Sequence, residues 1–124
     1  MLSAKEVVAI HDLIIVGGGG LPGDHGLNAV EGALSRVMNH IAYAGMDDVF
    51  EIAAMYAVAI ARGHVFNDGN KRTALVSALT YLDREGIAVR QTMQLEAVML
   101  DVAQGVLDEK GLATILFSLH AKEG

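Results

Sequence analysis

Polar groups of the kinds that carry chemistry crowd into the stretch Arg62 to Thr73 (RGHVFNDGNKRT), which joins an apolar segment to one with helical periodicity. A helix beginning near Gly69 has unpaired backbone N–H groups in its first turn. Its macrodipole adds about half a positive charge, so this end attracts anions. Gly69 lets a phosphate approach the backbone, Asn70 adds a side-chain donor, and Lys71 and Arg72 add two full positive charges. Asp68, one residue earlier, is placed to cap the helix or to hold a divalent cation between phosphates. His64 stands where an imidazole can take a proton from an incoming hydroxyl. Phe66 is predicted to point into the core and fix the loop. An anion site, a cation ligand, a base and an anchor are the needs of phosphoryl or nucleotidyl transfer. Taken singly, each residue has a plainer reading: a structural histidine, an N-capping aspartate, a solvated pair of cations. Their order within nine residues favours the chemical one.

Other signatures are absent or out of context. Gly18, Gly20 and Gly23 formally satisfy G-x-G-x-x-G. A dinucleotide fingerprint needs a strand before it and a helix starting at it. Here the preceding segment has helical period, and Pro22, Asp24 and Gly26 prolong the loop, so Gly17 to Gly26 reads as a flexible surface loop, able at most to guide a partner into a neighbouring site. No Gly-Lys pair makes a P-loop, no His-Glu pair begins a zinc helix, and no H-R-D marks a protein-kinase catalytic loop.

The elements that must position these groups read almost entirely as helices. Ser3 and Glu6 form a capping box, behind which Val7, Ile10, Leu13 and Ile14 share a face that ends in the glycines 17 to 20. A second helix is predicted from about Leu27 to Tyr43, striped by Ala29, Val30, Ala33, Val37 and Ile41 and ended by Gly45. Asp48 and Glu51 start a third, Val49 to Arg62, in which Ile52 to Ala61 is apolar on every side; this is the central, buried helix, stopped by Gly63. A fourth, about Gly69 to Glu85, carries Leu75, Ala78, Leu79 and Leu82 on one face, with Gly86 as its natural C′ residue. Ile87 to Arg90 reads as a short extended piece. Thr92 caps a helix to Gln104, and Asp108 caps a last one to about His120. The sum is an all-α bundle of about six helices around a buried central one, in a single domain, residues 1–124.

Composition narrows the function. The chain has 124 residues, 52% of them hydrophobic and 19% charged, enough apolar material for one core. Lys and Arg number 9 against 15 Asp and Glu, a net charge of −6 that argues against nucleic acid held on a broad basic surface. No cysteine is present, which removes disulfides, thiolate metal sites and a cysteine nucleophile. The longest apolar run, Ile52 to Ala61, falls well short of the roughly 20 residues that cross a bilayer. Glu6, His11 and Asp12 interrupt any apolar leader. A cytoplasmic protein with no membrane contact is expected.

His64-x-Phe66-x-Asp68-Gly69-Asn70-Lys71-Arg72 resembles the Fic/Doc superfamily signature H-x-F-x-[DE]-[AG]-N-[GK]-R, and Lys71 makes it similar to the death-on-curing (Doc) toxin branch. The likeness extends to His11-Asp12 on the first helix, to Gly19-Gly20-Leu21-Pro22-Gly23 and to Ala61-Arg62-Gly63. The resemblance implies a compact Fic/Doc-type helical fold. It implies the toxin of a type II toxin–antitoxin system: a kinase that moves the ATP γ-phosphate to a threonine of translation elongation factor Tu and stops translation. Carried over by position, His64 is the general base, Asp68 the magnesium ligand, Gly69 and Asn70 the anion cradle, Lys71 and Arg72 the phosphate-holding cations, and Phe66 the buried anchor. Fic enzymes instead transfer AMP, using a second Arg three positions after the first; that position is Leu75 here, which disfavours AMP transfer as the alternative activity. A non-catalytic helical module that binds an anion is the other alternative. The self-inhibitory [ST]-x-x-x-E-[GN] of many Fic proteins fails at Thr92 to Glu96, which Ala97 follows. The implied restraint is therefore a separate Phd-like antitoxin.

Overall fold

Six α-helices form in the order α1 (Ala4–Gly18), α2 (Leu27–Ala44), α3 (Val49–Gly63), α4 (Asn70–Arg84), α5 (Met93–Ala103) and α6 (Glu109–Glu123). The computed structural model describes residues 1–23 and 26–123; Asp24 and His25, which the sequence reading puts in the glycine loop, lie outside the described residues. α3 sits at the centre, packed most extensively on α4 and α6 and also on α2 and α5. Ile52, Ala53, Ala54, Tyr56, Ala57, Ile60 and Ala61 are buried along it, and the alanines let neighbouring helices come close. Met55, Val58 and Ala59 are only partly buried, so α3 is enclosed over most of its surface rather than all of it.

The helix starts follow their capping residues. Ser3 and Glu6 make the reciprocal capping box of α1. Asp48 accepts from the N–H groups of Phe50 and Glu51, Thr92 from that of Leu95, and Asp108 from that of Gly111. Gly45, with φ 62°, closes α2 in the left-handed conformation that favours glycine.

Three local expectations change. The buried face of α1 is Ala4, Val7 and His11, spaced i, i+3, i+7, while Leu13 is 75% exposed. Leu13 lies two residues beyond His11, about 200° around the helix, and therefore on the opposite side. Gly63 does not stop α3; it remains helical, and the left-handed residue that ends the helix is His64 (φ 49°, ψ 40°). Ile87 to Arg90 forms a connection without strand pairing, and among the described residues there is no β-strand.

Arg62 fixes the end of α3 from the other side. Its Nε donates to the Val102 carbonyl at 2.8 Å and its Nη2 to the Leu107 carbonyl at 2.7 Å, tying the last turn of α3 to the end of α5 and the connection to α6. Glu6 and Arg84 pair across α1 and α4. No described helix is long and apolar enough to cross a membrane.

Candidate active site

The tip of α4 is a backbone construction. Gly69 is the N-cap, with φ 77° and ψ 15°, and no side chain caps the helix, so its first-turn amides are not used up by a capping oxygen. A glycine is required there twice over. The left-handed φ disfavours any Cβ, and a Cβ would lie 3.2 Å from Ile15 Cδ1 and 3.5 Å from His11 Cδ2. Asp68 therefore does not act as the N-cap. Its Oδ1 accepts from the Gly69 N–H at 2.8 Å and its Oδ2 from the Leu21 N–H at 3.2 Å, while the carboxylate itself stays exposed. These two N–H donors, Gly69 first, hold the Asp68 carboxyl below its usual range, and the charges of Arg72 and Lys71 act in the same direction.

Beneath the tip, Phe66 is 2% exposed and anchors the loop, as its position in the pattern implies. One amide satisfies its whole main chain: Asn70 Oδ1 accepts from the Phe66 N–H at 3.1 Å and Asn70 Nδ2 donates to the Phe66 carbonyl at 3.0 Å. Asn70 thus shapes the loop first, with one N–H left for an anion.

The residue sequence reasoning missed as a structural participant is His11. It is 1% exposed, its ring stacks on Phe66 with centroids 3.9 Å apart and planes 5° from parallel, and its Nε2 lies 2.8 Å from the Asp68 carbonyl oxygen. A carbonyl only accepts, so Nε2 carries the proton. Nδ1 faces Asp12 Oδ1 at 3.2 Å. The available signal was periodicity: a histidine at a core position of the Ala4, Val7, His11 stripe requires polar partners inside.

The glycine loop is fastened to the motif rather than left free. Besides the Leu21 contact, Arg72 Nη2 donates to the Gly19 carbonyl at 3.1 Å, Asn67 Nδ2 to the Pro22 carbonyl at 3.1 Å, and the Asn67 N–H to the Gly23 carbonyl at 3.2 Å. Gly20 runs so close that a Cβ would lie 2.8 Å from Ile15 Cδ1 and 3.0 Å from Asp68 Oδ2.

A cleft of about 200 Å³ brings together His64, Asp68, Gly69, Asn70, Lys71 and Arg72, with Ala61 and Ala103 as apolar walls. His64 is exposed and, among the described residues, the one non-glycine with positive φ. That conformation turns the chain sharply at the end of α3 and leaves the imidazole at the cleft instead of in the core. The predicted base and the predicted phosphate site therefore share one concavity.

A divalent cation fits this donor set. Asp68 is charged, and each of its oxygens keeps a lone pair beyond the N–H it accepts. Among the described residues no group of three or more His, Asp or Glu side chains converges on a metal position.

The helical fold and a loop of the form H-x-F-x-D-G-N-K-R at a helix tip define a class. The model of the Fic/DOC family matches residues 1–82, about two thirds of the chain, and the chain belongs to that family, on its Doc branch. Among its relatives is the protein named "Protein kinase doc" of Escherichia phage P1. The two are 41% identical over 119 residues, covering 96% of this chain and 94% of the relative.

Proposed function

We propose that this chain, acting as one domain over residues 1–124, is the toxin of a type II toxin–antitoxin pair, a cytoplasmic protein kinase that transfers the γ-phosphate of ATP to a threonine hydroxyl of elongation factor Tu. The observation that carries the reading is the meeting of His64 with the uncapped tip of α4 and its two cations in one cleft. The name of the phage relative, a protein kinase, supports phosphoryl rather than AMP transfer, and so does Leu75, an apolar residue where Fic enzymes carry their second Arg.

The amides of the first turn of α4, Lys71 and Arg72 bind the polyphosphate and set its terminal phosphorus toward His64. The threonine oxygen attacks that phosphorus, and a new O–P bond forms as the bond to the bridging oxygen of ADP breaks. The hydroxyl proton passes to the His64 imidazole. Magnesium held by Asp68 would neutralise phosphate charge. The glycine loop is fastened to the motif by Asp68, Asn67 and Arg72. The partner that restrains the activity is a Phd-like antitoxin.

Incubation of the chain with Mg-ATP and elongation factor Tu, followed by intact-mass measurement, tests the reading. A gain of one phosphate is expected. A gain of one AMP would move the activity to the Fic class, and no change of mass would remove the proposed substrate.

A further inference from the structure

The left-handed turn at His64 is disfavoured by its Cβ and is kept only where the surroundings impose it. Ala61 before the turn and Val65 and Phe66 after it are buried, so the chain has little room to relax. Arg62, two residues before His64, is half-buried and bonds only to main chain across the bundle. Among the described residues no carboxylate pairs with its guanidinium. Instead Nε and Nη2 form a fork on two carbonyls, that of Val102 at 2.8 Å and that of Leu107 at 2.7 Å. Val102 lies in the last turn of α5, at the negative end of the helix dipole, where a cationic donor is the fitting partner. The place of this bond gives it a bearing on the site. Ala61, the residue before Arg62, and Ala103, the residue after Val102, are the two apolar walls of the cleft that holds His64. The Arg62–Val102 hydrogen bond therefore ties one wall to the other.

We infer that Arg62 is a positioning residue for the base. By joining the exit of α3 to the end of α5, it keeps the two walls together and fixes the His64 imidazole relative to the α4 tip. The inference rests on the role of His64 proposed above.

The effect is selective because the phosphate site has supports of its own. Asn70 braces Phe66, His11 donates to the Asp68 carbonyl, and Asp68 holds the Leu21 N–H. The Arg62 bonds reach none of these. α5 also stays docked without them, since Leu95, Met99 and Val102 remain buried along it. What loosens is the turn that carries the base. A reacting group displaced by about 1 Å can cost about 100-fold in rate. Lysine is an incomplete substitute, because a single ammonium does not reproduce the planar fork.

Single-turnover phosphate transfer from Mg-ATP to elongation factor Tu, compared among the wild type, Arg62→Ala, His64→Ala and the double variant, tests the assignment. Calorimetry gives the Mg-ATP affinity of each, and circular dichroism checks the fold. Arg62→Ala should slow transfer about 10- to 100-fold, with affinity unchanged within about twofold. Arg62→Lys should recover part of the rate, and it carries the same comparison should Arg62→Ala not fold. In the His64→Ala background the loss of Arg62 should slow transfer no further, because a residue that acts through the base has nothing left to act on. A purely structural role would instead multiply the two losses. That result, a wild-type rate in Arg62→Ala, or a fall in affinity as large as the fall in rate would overturn the inference and leave His64 standing. Transfer at the wild-type rate by His64→Ala, or none by the wild type, would remove the base and this inference together.

Discussion

The imidazole of His11 lies flat on the phenyl ring of Phe66, and the same imidazole donates from Nε2 to the main-chain carbonyl of Asp68. One side chain of α1 thus holds both the anchor of the motif loop and the backbone of its carboxylate. The glycine N-cap follows directly on that carbonyl, so the position of the α4 tip depends on a histidine more than fifty residues earlier in the chain.

His11→Phe keeps an aromatic ring on Phe66 and removes the donor to Asp68. Leaving that carbonyl without its partner should cost about 1–3 kcal/mol, read as a lower urea midpoint at unchanged m-value. Phosphate transfer should fall in kcat and KM for ATP should rise with it, because the variant displaces the motif loop and the α4 tip that carries Lys71 and Arg72.

Gly69→Ala puts a Cβ into a left-handed residue packed on Ile15. The backbone conformation alone should cost about 1–2 kcal/mol, and nucleotide affinity should fall as the tip moves. Gly17 is the matched control. It is helical and a Cβ there meets nothing within 4 Å, so Gly17→Ala should raise stability by up to about 1 kcal/mol. Chemical denaturation of the two variants checks both signs.

Asp68 is the fastening point of the glycine loop through the Leu21 N–H. Its carboxyl is held below the usual range, so it remains charged at pH values where an ordinary aspartate begins to take up protons. Amide exchange at Leu21 should accordingly stay slow on mild acidification and quicken only once the pH falls through the lowered value. In Asp68→Ala, Leu21 should exchange quickly at every pH, as seen by NMR.

Much of this architecture is legible in the sequence because it is local. The capping oxygens of Ser3, Asp48, Thr92 and Asp108 and the glycines after the helices set the boundaries, and the motif order brings six polar residues to one cleft. What escapes is what depends on contacts between distant segments. The burial of His11 follows from Phe66 and Asp68, and the order of the glycine loop follows from Asn67, Asp68 and Arg72. No local signal foretells that His64, rather than Gly63, takes the left-handed turn: glycine is the cheaper residue there, and the chain places the strain on the histidine instead.

The pair Glu6–Arg84 joins α1 to α4 and so supports the same site from the other end of α1. The Arg84 guanidinium and the Ser3 N–H pull the Glu6 carboxyl from 4.5 down to about 2. A carboxyl lowered on folding stabilises the fold above its unfolded value and loses that contribution as the pH drops through the folded one. The stability difference between the wild type and Glu6→Gln should therefore be constant at neutral pH and vanish between about 4.5 and about 2, as measured by urea midpoints across that window.

The central claim is that His64 removes the proton while the tip of α4 holds the phosphates, two tasks on separate groups. Single-turnover phosphate transfer by His64→Ala, with Mg-ATP affinity determined on the same preparation, separates them most directly. Transfer should fall by at least about 100-fold with the affinity unchanged within about twofold. Transfer at the wild-type rate would contradict the assignment of His64.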